Sequence, residues 1–97
     1  MKKTALITGA SRGIGAATAA AFAREGYRVV INYLTQHEAA ANLKTKLEAE
    51  GAEVLTISAD VSDKAQVDAM IRQIEEAFGS VDVLVNNAGI EIGRAHV

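Results

Sequence analysis

The 97 residues are 49% hydrophobic and 23% charged, which fits one globular unit and excludes a disordered or multidomain chain. A net charge of −2, with Lys and Arg scattered along the chain, provides no basic field for a nucleic-acid backbone. Cysteine is absent, so there is no disulfide framework, thiol nucleophile or cysteine metal site, and the apolar run after Met1-Lys2-Lys3 meets Gly9 too soon for a signal peptide or membrane span. The expectation is a cytoplasmic protein with neither nucleic acid nor membrane as partner.

A first strand is predicted over about Thr4 to Thr8, and it runs directly into Thr8-Gly9-Ala10-Ser11-Arg12-Gly13-Ile14-Gly15. A strand that ends in a glycine-rich turn and opens a helix is a phosphate-binding arrangement. Glycines permit the tight turn and the approach of backbone to pyrophosphate, and the helix N-terminus presents N–H groups without intrahelical acceptors. The helix is predicted from about Gly13 to Glu25, closed by Gly26. A second strand follows over Arg28 to Tyr33. The next helix is expected to open at Thr35, where Thr35-Gln36-His37-Glu38 has the form of a capping box, and to close at Gly51. His37 has no companion at metal-ligand spacing and reads as a solvated side chain, so no metal site is expected.

A third strand over Glu53 to Ser58 leads to Asp60-Val61, and a third helix begins after Ser62 with Asp63 near its positive end and stops at Gly79. Val67, Met70, Ile71, Ile74 and Phe78 recur at helical spacing on this helix and are expected in the core. The fourth strand, Asp82 to Asn86, leads to Asn86-Asn87-Ala88-Gly89. Strands and helices alternate, and the Val-rich strands suit a buried parallel sheet. Right-handed crossovers give an α/β, doubly wound, Rossmann-type sheet, truncated to about four strands in order 3-2-1-4 with three helices. The ligand is expected at the carboxyl ends of strands one and four.

Three strand-end motifs in this order, the glycine turn, Asp60-Val61 and Asn86-Asn87-Ala88-Gly89, resemble those of the short-chain dehydrogenase/reductase family over roughly residues 2 to 90. The resemblance implies a dinucleotide site built from Gly9, Ser11, Arg12, Gly13, Ile14, Gly15, Tyr33, Asp60, Val61, Asn86, Ala88 and Gly89. It places Asp60 near the adenine amino group and the Val61 N–H near a ring nitrogen. Asn86 and Gly89 fall along the ribose and nicotinamide side, and Asn87 ties strands together; for Asp60 a turn role before Ser62 is the alternative. Tyr33 fills the place where NAD-preferring relatives carry Asp, and Arg12 offers a cation to a 2′-phosphate. NADP(H) is therefore preferred, with NAD(H) possible. The alternative for Arg12 is a solvated loop residue.

The family's general-acid apparatus, a Tyr-x-x-x-Lys helix and a preceding Ser, has no counterpart in these residues: Tyr27 is followed four positions later by Ile31, and Tyr33 by His37. No catalytic residue is assigned. The expectation is an NADP(H)-dependent oxidoreductase in which these residues supply the cofactor half, with weak or absent cofactor binding and no turnover by the chain alone. Its substrate would be a small-molecule or carrier-bound carbonyl or alcohol, in a homo-oligomer. Within the family the glycine turn and second strand look similar to 3-oxoacyl-carrier-protein reductases and to glucose dehydrogenase-like members. The alternative is a non-catalytic dinucleotide-binding module or sensor.

Ile92-Gly93-Arg94-Ala95-His96-Val97 can be encoded by ATC GGA AGA GCA CAC GTC, which looks like a common sequencing adapter. Residues 1–91 are accordingly expected to form the N-terminal part of an NAD(P)-binding domain, and 92–97 a non-native tail. The alternative is a natural tail that happens to fit those codons.

Overall fold

The computed structural model describes residues 2–88. Its elements alternate as β1 (Thr4–Ile7), α1 (Gly13–Arg24), β2 (Arg28–Tyr33), α2 (His37–Ala49), β3 (Val54–Ser58), α3 (Lys64–Phe78) and β4 (Val83–Val85). The four strands form one sheet in the order β3-β2-β1-β4, and every pairing is parallel. The truncated Rossmann-type arrangement expected from the sequence is the one observed.

Alternation along each strand separates two cores, because successive side chains point to opposite faces. Ala5 and Ile7 of β1 and Val29 and Ile31 of β2 pack with Ala19 and Ala20 of α1 and Ala40 and Leu47 of α2. The small side chains of α1 allow its backbone to sit close to the sheet. On the other face Leu6, Val30 and Ile57 pack against Met70 and Ile74 of α3. Burying each of the larger side chains contributes about 1.5–3 kcal/mol.

The helical stripe of α3 is less buried than its periodicity suggests. Met70 and Ile74 are enclosed, whereas Val67, Ile71 and Phe78 are only partly so. A single helix covers this face among the described residues, and Val67 and Ile71 at the margin of its stripe line a cavity together with Leu6 and Leu84 of the sheet.

Each helix ends one or two residues before the glycine that punctuates it, Gly26, Gly51 or Gly79. Helix starts divide differently. At α3 the Asp63 carboxylate accepts the N–H groups of Ala65 and Gln66 at 3.0 and 3.4 Å, satisfying donors that the first turn leaves without partners. The capping box predicted at Thr35 does not form. The Thr35 carbonyl instead accepts the His37 N–H at 2.9 Å, which closes a tight turn, and Gln36 takes the N-cap position without a side-chain cap.

Candidate functional site

All four strands run in one direction, so their carboxyl ends deliver Thr8 to Ala10, Asn32 to Tyr33, Ala59 to Val61 and Asn86 to Ala88 to the same edge of the sheet. Thr8 secures the junction between β1 and β4. Its N–H donates to the Val85 carbonyl at 3.0 Å, its hydroxyl donates to Asn86 Oδ1 at 3.2 Å, and the Thr8 hydroxyl oxygen accepts the Ala88 N–H at 3.0 Å.

The inner side of the glycine turn is wired to its neighbours. Asn87 Nδ2 donates to the Gly9 carbonyl at 3.0 Å, and the Ala10 N–H donates to the Asn32 carbonyl at 2.9 Å. Gly15 closes this wall by close packing: a Cβ there would lie 2.5 Å from the Gly9 carbonyl oxygen and 2.7 Å from Asn87 Nδ2. Any larger residue displaces the turn.

The outer side is open. Arg12, Gly13 and Ile14 are exposed, Ile14 at 79%, and Gly13 adopts φ 65°, a conformation that favours glycine. Arg12 is the N-cap of α1 and makes no side-chain cap, and the first turn contains no acidic residue. The positive end of α1 thus faces outward beside a cation and without a neutralising carboxylate in its first turn, a donor set suited to an anionic group.

Beside this turn lies a cleft of about 150 Å³ lined by Gly9, Asn32, Leu34, Ala59, Asp60, Val61 and Ala88. Asp60 at its rim accepts the Ser62 hydroxyl at 2.6 Å and the Ser62 N–H at 2.9 Å through Oδ1. These two bonds, the hydroxyl's first, hold its carboxyl below the usual aspartate range against a small opposing effect of desolvation. The turn role is real, and a carboxylate with a second oxygen can still accept further donors. A second cavity, about 180 Å³, is lined by Leu6, Thr8, Val61, Val67, Met70, Ile71, Leu84 and Asn86.

Of the residues singled out from the sequence, Gly9, Asp60, Val61 and Ala88 converge on the first cleft, and Asn86 joins Val61 in the second cavity. Ser11, Arg12, Gly13 and Ile14 form the outside of the turn, whereas Gly15 is buried behind it and acts through packing. Tyr33 stands at the end of β2 with its hydroxyl 3.1 Å from His37 Nδ1 and the two rings edge to face at 5.1 Å. The exposed His37 is therefore engaged with Tyr33 instead of being merely solvated, a contact that i, i+4 helical spacing does not announce because Tyr33 belongs to a strand. Gly89 lies outside the described residues. Among the described residues no group of His, Cys, Asp and Glu is placed to hold a metal ion, and no helix is long and apolar enough to cross a membrane.

The model of the short chain dehydrogenase family matches residues 3–96. The chain belongs to the short-chain dehydrogenase family. It is 49% identical over 90 residues to the 3-oxoacyl-[acyl-carrier-protein] reductase FabG of Staphylococcus aureus, an alignment covering 93% of this chain and 37% of the relative. The corresponding reductase of Synechocystis is 46% identical over 88 residues, covering 91% and 36%. Among solved structures, a Serratia marcescens short-chain dehydrogenase/reductase superposes with a TM-score of 0.84 at 39% identity, covering 88% of this chain and 35% of that one. A Burkholderia cenocepacia short chain dehydrogenase in complex with NADP gives 0.82 at 43% identity, covering 87% and 34%. The chain thus spans a little over a third of the length of the family members it matches.

Asn32 is the site residue that the sequence reading passed over. It is 2% exposed and lines the cleft. The available signal was a polar amide at the end of the apolar run Val29-Val30-Ile31, in a position where burial demands hydrogen-bond partners.

Proposed function

We propose that this chain is the dinucleotide-holding part of an oxidoreductase that interconverts carbonyl and hydroxyl groups, with NADP(H) preferred over NAD(H). The observation that carries the reading is the outward-facing first turn of α1, free of acidic residues and flanked by the exposed Arg12, on a backbone fixed from behind by Asn32 and Asn87. In this reading the N–H groups of Gly13 to Gly15 hold the pyrophosphate, with Ser11 alongside them. The cleft with Asp60, Val61 and Ala88 takes the adenine. Asp60, kept ionised by Ser62, accepts from the adenine amine, and Asn86 and Gly89 serve the ribose and nicotinamide side. Arg12 recognises the 2′-phosphate beside Tyr33, where an acidic residue would repel it.

When bound, the nicotinamide supplies the hydride, and these residues orient it. The substrate class, a small or carrier-bound carbonyl or alcohol, is supported by the similarity to 3-oxoacyl-[acyl-carrier-protein] reductases, and assembly as a homo-oligomer belongs to the same reading. The second reading is a dinucleotide-binding module or sensor, which would use the same turn and cleft and would not need a Tyr-x-x-x-Lys pair.

The backbone of the turn, fixed by Asn32 and Asn87, favours weak binding over none, so amide NMR of the chain titrated with 2′,5′-ADP and with 5′-AMP tests the cofactor reading. 2′,5′-ADP is expected to shift the Ser11 to Gly15 and Tyr33 amides at lower concentration than 5′-AMP, and Arg12→Ala is expected to abolish that difference. Unmoved amides from Gly9 to Gly15 with both nucleotides would overturn the site. NADPH-dependent ketone reduction by the purified chain would overturn the expectation that it does not turn over alone.

A further inference from the structure

Asn32 sits where the sheet geometry needs a connector. β2 lies between β1 and β3, so the glycine turn after β1 and the Ala59-Asp60 segment after β3 are not neighbours in the sheet, although both line the same cleft. The Asn32 side chain spans them. Its Oδ1 accepts the Gly9 N–H at 3.3 Å, and its Nδ2 donates to the carbonyls of Ile57 at 3.4 Å and Ala59 at 3.1 Å. The backbone reinforces both attachments, since the Ala10 N–H donates to the Asn32 carbonyl at 2.9 Å and the Ala59 N–H donates to the Tyr33 carbonyl at 3.0 Å.

The polarity of this bridge fits an amide. One side presents an N–H and the other presents two carbonyls, so the group between them must accept on one side and donate on the other. Asp supplies the acceptor without the donors, Ser is too short to reach both sides, and an apolar residue leaves the polar groups it faces without that partner. Burial makes the bridge stiff, because a 2%-exposed amide has no water to exchange partners with.

We propose that Asn32 is the positioning residue of the cofactor cleft, fixing the glycine turn and the end of β3 at the separation that an adenine ring occupies. The proposal rests on the dinucleotide reading above. Asn32 acts through Gly9 and Ala59, which both line the cleft, and not through contact with reacting atoms.

The test uses the whole chain with two variants, Asn32→Ser and Asn32→Asp, read by amide hydrogen exchange and by 5′-AMP titration. For Asn32→Ser, the Gly9 amide is expected to exchange about fivefold to tenfold faster while the Leu6 and Val30 amides keep their relative protection, and the 5′-AMP shifts at Asp60 and Val61 are expected to shrink. For Asn32→Asp, which retains the acceptor, Gly9 is expected to stay protected while the Asp60 and Val61 shifts still shrink. A merely structural role predicts uniformly faster exchange across the sheet and unchanged 5′-AMP shifts in the folded fraction, which would overturn the proposal, as would the unfolding of both variants. The two readings fail separately. A wild-type chain that does not respond to 5′-AMP overturns the cofactor reading itself, whereas a response that survives unchanged in both folded variants overturns only the role of Asn32.

Discussion

Leu6 and Leu84 are register partners on adjacent parallel strands, yet Leu6 is 2% exposed and Leu84 is 60% exposed. The same side chain on the same face of one sheet thus meets two environments. α3 lies over Leu6, Val30 and Ile57, and β4 lies beyond its margin. Strand pairing supplies hydrogen bonds, but only a helix laid over the face removes apolar surface from water. β4, an edge strand of three residues among the described residues and carrying the exposed Leu84, is consequently a part of the sheet open to association.

Truncating both leucines is the sharpest way to break the comparison. Leu6→Ala is expected to cost about 2–5 kcal/mol, enough to unfold much of so small a chain, because it leaves a cavity beneath α3. Leu84→Ala is expected to stay within about 0.5 kcal/mol, as for surface changes generally. Urea unfolding followed by circular dichroism measures both, and equal losses would show that β4 is covered in solution. Between these extremes lies the start of α3. Asp63→Ala removes the cap on the helix that buries Leu6 and is expected to cost about 1 kcal/mol. Gln36→Ala, at an N-cap that makes no side-chain bond, is expected to change stability by at most a few tenths.

The smallest effect concerns pH. Asp60 is tied to Ser62 just ahead of α3, and its carboxyl is held below the ordinary aspartate value of 3.8. A depressed folded value means that its contribution is present above that range and is lost as pH falls through the lower, folded value. Acid titration of the melting temperature is expected to show a slight extra decline below about pH 3.8 that Asp60→Asn removes. The carboxyl's exposure to solvent keeps the change small. An identical acid limb in the variant would detach Asp60 from the stability of this end of α3.

Much of this arrangement is legible in residues. Gly26, Gly51 and Gly79 mark the helix ends, and the strand-end motifs fall on one edge once a parallel sheet is assumed. The differences arise from contacts both distant and local. The fourth strand spans Val83–Val85, shorter than Asp82 to Asn86, and at its two ends the Asp82 carboxylate accepts the Thr4 N–H at 2.8 Å and Asn86 engages Thr8. The capping box at Thr35 satisfied a local rule but lost to a tight turn. Asp60 is a turn residue that also lines the cleft, so its turn role and the adenine contact implied by the resemblance do not exclude each other.

By itself the sequence determined the order of elements, their periodicity, and the strand-end residues that mark the family, because these depend on local spacing and backbone freedom. Only the tertiary structure decided that Asn32 joins two strand ends, that Gly15 is excluded from growth by the Gly9 carbonyl, and that Leu84 stays outside while Leu6 is enclosed. Each of those depends on a partner distant in the chain. Hydrogen-bond valence and packed volume are settled only when the partners meet.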